Sequence, residues 1–136
     1  MSYRVMVLDL TVIDLEDDTY RITTSTAVDD IAKSIGYVGL INPPVLARKE
    51  NRYRVVAGFR RIAAMQKLNH RHISARVMPA ESLTLECIRI AIADNISQRK
   101  LDLLEISRAL ALLDACIEER ADLPVEAKNL GLPDNP

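Results

Sequence analysis

Gly58, Phe59, Arg60 and Arg61 run consecutively, and a glycine followed closely by two guanidinium groups can do phosphate chemistry if it opens a helix. Tyr53–Ala57 alternates as a strand would, and Ile62, Met65 and Leu68, or Ala64 and Leu68, recur at helical spacing. The sequence therefore predicts a strand, a glycine turn and a helix whose first turn carries two arginines. Those arginines sit at the positive end of the helix macrodipole, where cations are unfavourable and an anion is welcome. Free first-turn N–H groups and the unhindered backbone of Gly58 complete a phosphate cradle. Carboxylates or solvent would also satisfy the arginines, so both readings stand at this level.

The elements around this joint follow from patterning. Tyr3–Leu10 predicts a first strand, and Asp14–Ser25 is polar and turn-like, with Arg21 at its centre. Val28, Ile31 and Ile35 predict a short amphipathic helix ending at Gly36. Gly39-Leu40-Ile41-Asn42-Pro43-Pro44 is a rigid loop, because two prolines fix φ and remove two donors. Val45–Ala47 and Tyr53–Ala57 predict a hairpin around Lys49-Glu50-Asn51, and His72–Met78 predicts another strand. After Pro79 the pattern is helical only. Leu85, Ile88 and Ile92 mark one helix running into Asp94-Asn95. Asp102 and Glu105 have the spacing of a capping box that starts the next, with Ile106, Leu110, Leu113 and Ile117 as its buried stripe. Leu123–Pro136 has room for one or two helical turns. The fold class expected is α/β (α+β): a small mixed sheet with helices over residues 1–79, then a helical extension over 80–136.

At 136 residues and 49% apolar composition, the chain can bury an aliphatic core. No apolar run approaches the length of a membrane span, and Met1-Ser2-Tyr3-Arg4 lacks signal-peptide features. Two cysteines, Cys87 and Cys116, are too few for a disulfide scaffold and are expected to be buried thiols of a cytoplasmic protein. The net charge of −1 hides an uneven distribution: residues 1–44 carry −4, residues 45–77 carry +8 and residues 78–136 carry −5. The basic middle suits a polyanion, a nucleotide or an acidic partner surface. At the hairpin tip, Arg48, Lys49 and Arg52 are expected to be solvated.

Three segments together resemble the N-terminal domain of ParB-type chromosome-partitioning proteins, in the ParB/sulfiredoxin superfamily (also labelled ParB-like nuclease domains). Ser34-Ile35 with Gly39-Leu40-Ile41-Asn42-Pro43-Pro44 is similar to the family's "SI…GLLQP" segment. Tyr53–Ala64 is similar to its "Y-x-(L/V)-(I/V)-A-G-E-R-R-x-x-A" segment. Asp94-Asn95-Ile96-Ser97-Gln98-Arg99, with Leu101 and Glu105, is similar to its "E-N-x-Q-R…L…E" segment. Order and spacing agree from about Leu10 to Leu113.

The resemblance implies a CTP-binding switch in chromosome or plasmid partitioning. Gly58, Arg60 and Arg61 would contact phosphate, and Asn42 would border the base or ribose. Arg21 stands where the family has another arginine beside the pocket. Asp94 and Asn95 would offer oxygens to Mg²⁺, and Gln98 and Arg99 complete the motif. The resemblance further implies self-association through the C-terminal helices, and DNA reading by a helix-turn-helix that is not legible between Leu123 and Pro136. The chain is accordingly expected either to be part of a longer protein or to belong to a branch that lacks that module.

Departures bear on chemistry. Phe59 replaces the usual glutamate and cannot act as a base, so it is expected to pack against the base or in the core. Asp94 is one methylene shorter than the glutamate it replaces, and Ser97 adds a residue before Gln98. Slow hydrolysis or none is therefore expected. Neither cysteine lies in the turn where sulfiredoxins carry theirs, and no carboxylate cluster suits a two-metal nuclease. Two alternatives from other classes are a small-molecule phosphotransferase on the same scaffold, for which only His70 and His72 offer imidazoles, and an interaction module without nucleotide.

Overall fold

A computed structural model describes residues 3–79, 82, 84–117 and 122–133. The expected junction at residue 80 and the last three residues of the expected tail lie outside them. The chain divides into two compact units, residues 1–21 with 25–81, and residues 22–24 with 82–136.

The first unit is a mixed five-stranded sheet with two helices. Its elements are β1 (Arg4–Asp9), β2 (Ile13–Asp14), α1 (Asp29–Val38), β3 (Val45–Lys49), β4 (Arg52–Ala57), α2 (Phe59–Lys67) and β5 (His72–Val77), with a 3-10 turn over Leu10–Val12. Strand order is β1-β5-β3-β4-β2. β1 runs antiparallel to β5 and β3 antiparallel to β4, whereas β3 with β5 and β2 with β4 are parallel. Leu46, Val55, Ile62, Ile73 and Ala75 are fully buried in one aliphatic core, joined by Ala32 and Ile35 of α1. Burying each such branched side chain is worth about 1.5–3 kcal/mol, which is how a chain with one phenylalanine holds its sheet together.

Two sequence expectations need correction here. The helix expected to stop at Gly36 continues to Val38. A glycine inside a helix costs only about 1 kcal/mol relative to alanine, and Gly36 sits where a Cβ would merely touch Leu68. The true stop is Gly39 at φ +87°, whose N–H donates to the Ile35 carbonyl. The first strand ends at Asp9, because the Asp9 carboxylate accepts from Thr11 N–H and turns the chain.

The second unit contains α3 (Thr84–Gln98), α4 (Leu103–Cys116) and α5 (Asp122–Leu130). The capping box is present as read: Asp102 accepts from the Glu105 N–H at 2.8 Å, and Glu105 accepts from the Asp102 N–H at 3.1 Å. Ile106 and Leu113 of the expected α4 stripe are buried, together with Glu105 and Ala109. Leu110 is half-buried, and Ile117 lies just past the helix end. Cys87 is buried as expected, but Cys116, in the last turn, is only half-buried. The tail exceeds the expected short turns: α5 spans nine residues, tolerating Pro124 in its first turn and ending at Gly131, φ +87°. Among the described residues no helix is long and apolar enough to cross a membrane.

Candidate nucleotide site

The β4–α2 joint is built around a close backbone approach. Gly58 is left-handed at φ +103°, ψ 27°, and provides no side-chain cap to α2. A Cβ there would stand 2.7 Å from Pro44 Cβ and 3.0 Å from Pro44 Cα. Register slips between Val45 and Leu46: Val45 faces Ala57 while Leu46 faces Val55, leaving Val56 as an extra residue on β4. Such bulges re-aim a strand end, and this one delivers the chain into the Gly58 turn. The first turn of α2 contains no acidic residue.

The two arginines of that turn go different ways. Arg60 donates from Nε (2.9 Å) and Nη2 (2.8 Å) to the Ala27 carbonyl. Arg61 donates from Nη1 to the Asn42 carbonyl at 2.9 Å. In each of these bonds the acceptor is a backbone carbonyl. Arg60 also lines an open cleft of about 240 Å³ with Arg21, Ser25, Thr26 and Gln66, and with Leu15, Val28, Phe59 and Ala63 as its apolar wall. The Arg21 guanidinium lies 5.5 Å from the Phe59 ring centroid, a cation–π contact. Phe59 is half-buried against the sheet core, so one ring serves both packing and cleft.

Thus Arg21, Phe59 and Arg60 share one cleft. Asn42 and Arg61 form a separate contact, where Arg76 Nη1 also reaches Asn42 Oδ1 at 3.5 Å. Sequence reasoning missed Ser25, Thr26 and Gln66, whose polar types are unremarkable in a turn and on a helix. It missed Arg76 too, which reads as an outward strand residue.

Asp94, Asn95 and Gln98 lie on α3 in the second unit, with Arg99 just past its end. Asp94 and Asn95 are a turn inside the helix rather than at its end, because α3 runs on to Gln98. The Asn95 Nδ2 donates to the Ala91 carbonyl at 2.7 Å. Gln98 is exposed. Arg99 pairs with the buried Glu105. Among the described residues no three His, Cys, Asp or Glu side chains converge on a point.

The basic hairpin is the clearest departure from expectation. Lys49 donates to Asp14 at 3.0 Å and Asp17 at 2.7 Å, and Arg54 donates to Asp17 at 2.7 Å. Arg52 reaches the Ile13 carbonyl at 3.2 Å and lies 3.8 Å from Asp14. The acidic surface that this block suits is therefore partly in the same chain. Burial pushes the Asp17 carboxyl up, but hydrogen bonds from Lys49, Thr19 and Arg54 outweigh it and hold the group well below the usual carboxylate range. Arg48 remains exposed, over the Tyr53 ring. His70 and His72 are both exposed.

Residues 3–96 match the family model of the ParB N-terminal domain. The chain belongs to this family. It is 30% identical over 83 residues to a probable chromosome-partitioning protein ParB of Campylobacter jejuni, covering 61% of this chain and 29% of that protein. It is 27% identical over 89 residues to the Helicobacter pylori counterpart, covering 65% and 30%. The chain thus spans about three-tenths of the length of the curated relatives it matches. Two solved structures share the fold. A Pnob8-like ParB-N domain superposes with a TM-score of 0.64 at 19% identity, covering 94% of this chain and 50% of that one. The C-terminally truncated chromosome-partitioning protein ParB of Caulobacter crescentus, complexed with CTP-γ-S, superposes at 0.60 with 21% identity, covering 96% and 73%.

Proposed function

We propose that this chain is the nucleotide-binding part of a partitioning protein, taking CTP with Mg²⁺ and acting as a switch in DNA partitioning or related regulation. The observation that carries the reading is the joint itself: a left-handed Gly58 pressed on Pro44, an α2 start with no acidic residue, and Arg60 beside Arg21 on an open cleft. A fold relative crystallised with CTP-γ-S supports it. Arg60 and Arg61 supply charge-assisted bonds to phosphate oxygens, Arg21 adds a third guanidinium, and Asn42 borders base or ribose. Asp94 and Asn95 provide a carboxylate and an amide oxygen for Mg²⁺, the hard donors that ion prefers. Nucleotide shifts the protein between arrangements only if it binds one of them better. DNA is read by a further module of the longer protein, and self-association runs through the C-terminal helices.

Isothermal titration with CTP, ATP, GTP and ADP, each with and without Mg²⁺, tests the reading. CTP preference supports it, and absence of binding by every nucleotide overturns it. In a protein that binds, Arg60→Ala and Arg61→Ala each lose about 1.5–3 kcal/mol of binding free energy. Unchanged affinity in both, with native circular dichroism, removes the phosphate assignment.

A further inference from the structure

We infer that Glu105 is a positioning residue for the cleft, acting through the strap of residues 21–27. Residues 22–24 belong to the second unit, whereas Arg21 and residues 25–27 belong to the first, so the backbone itself passes from one unit to the other and back. On the helical side the strap is clamped. Ile22 and Thr23 are buried, Arg108 Nη1 donates to the Thr23 carbonyl at 3.1 Å, and Thr24 N–H donates to Glu105 Oε2 at 3.4 Å. Thr24 Oγ1 reaches Asp102 Oδ2 at 3.4 Å. On the sheet side, three positions later, the Ala27 carbonyl takes both bonds of Arg60, while Arg21, Ser25 and Thr26 line the cleft.

Glu105 does more than a helix cap requires. A capping box needs only its reciprocal backbone bonds and sits comfortably in solvent. This carboxylate is 4% exposed and takes a guanidinium from Arg99 and an amide from Thr24 besides. A buried carboxylate is expensive unless it is paired and its lone pairs are filled, so its donors fix one another in place. Arg60 holds one end of the strap and Glu105 the other, so freeing either end loosens the strap residues that line the cleft.

Amide hydrogen exchange of Thr24, with Ala109 inside α4 as reference, tests this without nucleotide. Arg60 bonds neither Thr24 nor Glu105, yet Arg60→Met should speed Thr24 exchange by about threefold or more while Ala109 stays unchanged. Arg60→Lys, a milder change, should give a smaller shift of the same sign. No change at Thr24 in either variant, or equal acceleration at Ala109, overturns the inference. The nucleotide arm rests on the function proposed above: Glu105→Gln should weaken CTP binding by about threefold or more with helix content retained. Unchanged CTP affinity in Glu105→Gln also overturns it. If the parent binds no CTP but Arg60→Met still loosens Thr24, the nucleotide reading falls and the strap stands.

Discussion

Pro44 closes on Gly58 so tightly that a Cβ at position 58 would lie 2.7 Å from Pro44 Cβ. The glycine is thus required by the fold of the turn before any ligand is considered, and it is left-handed as well. Gly58→Ala should lower unfolding free energy by about 2–4 kcal/mol, combining overpacking with a disfavoured φ. Urea denaturation measures it. A change under about 0.5 kcal/mol, the range of ordinary surface substitutions, would show that the turn relaxes freely. Gly58→Ser carries the same cost, so any nucleotide affinity lost in it must be read beside its stability.

Asp94→Ala should remove most of the Mg²⁺ dependence of triphosphate binding. Asn95→Ala should remove part of it, because Asn95 offers only a neutral oxygen while its Nδ2 is held by Ala91. Titrations with Mg²⁺ and with EDTA make the comparison. Equal affinity under both conditions in the parent protein removes the metal role.

Phe59 packs against the core and beneath Arg21, and neither contact lets it accept a proton or orient water. A water-positioning group must stand about 2.6–3.2 Å from that water. The parent chain should therefore turn over CTP well below about 1 s⁻¹. Phe59→Glu would place a carboxylate next to Arg21, and phosphate release should rise with affinity little changed. Parent turnover at about 1 s⁻¹ or faster would show that Phe59 displaced nothing catalytic.

Asp17 makes stability depend on acid. Burial raises its carboxyl, but bonds from Lys49, Thr19 and Arg54 lower it more, so the folded chain keeps this charge to lower pH than the unfolded chain does. Its stabilisation is complete above the unfolded carboxylate range, about pH 4, and is lost as pH falls from there through the folded value. Asp17→Asn should cost about 1.5–3 kcal/mol at pH 7 and flatten the slope of unfolding free energy between about pH 5 and pH 2. Chemical denaturation across that range checks it. A parallel slope in parent and variant would mean that other carboxylates govern acid unfolding.

Much of this molecule is written locally. The glycine joint, the Lys49–Arg52 hairpin, the Asp102–Glu105 box and the three family segments depend on neighbours a few positions away, and short-range patterning resolves them. Gly36 and Gly39 look alike in sequence, because a helix stop depends on φ rather than on residue type alone. What the tertiary structure decided are pairings across distance. Asp14 and Asp17 lie more than thirty positions from Lys49 and Arg54, so the +8 block looked free until the fold set their carboxylates on it. Arg60 and Arg61 are adjacent in sequence, yet a helix turns about 100° per residue, and they part toward Ala27 and Asn42. Glu105 read as a cap and became a buried clamp only when Thr24, 81 positions away, came to lie against it.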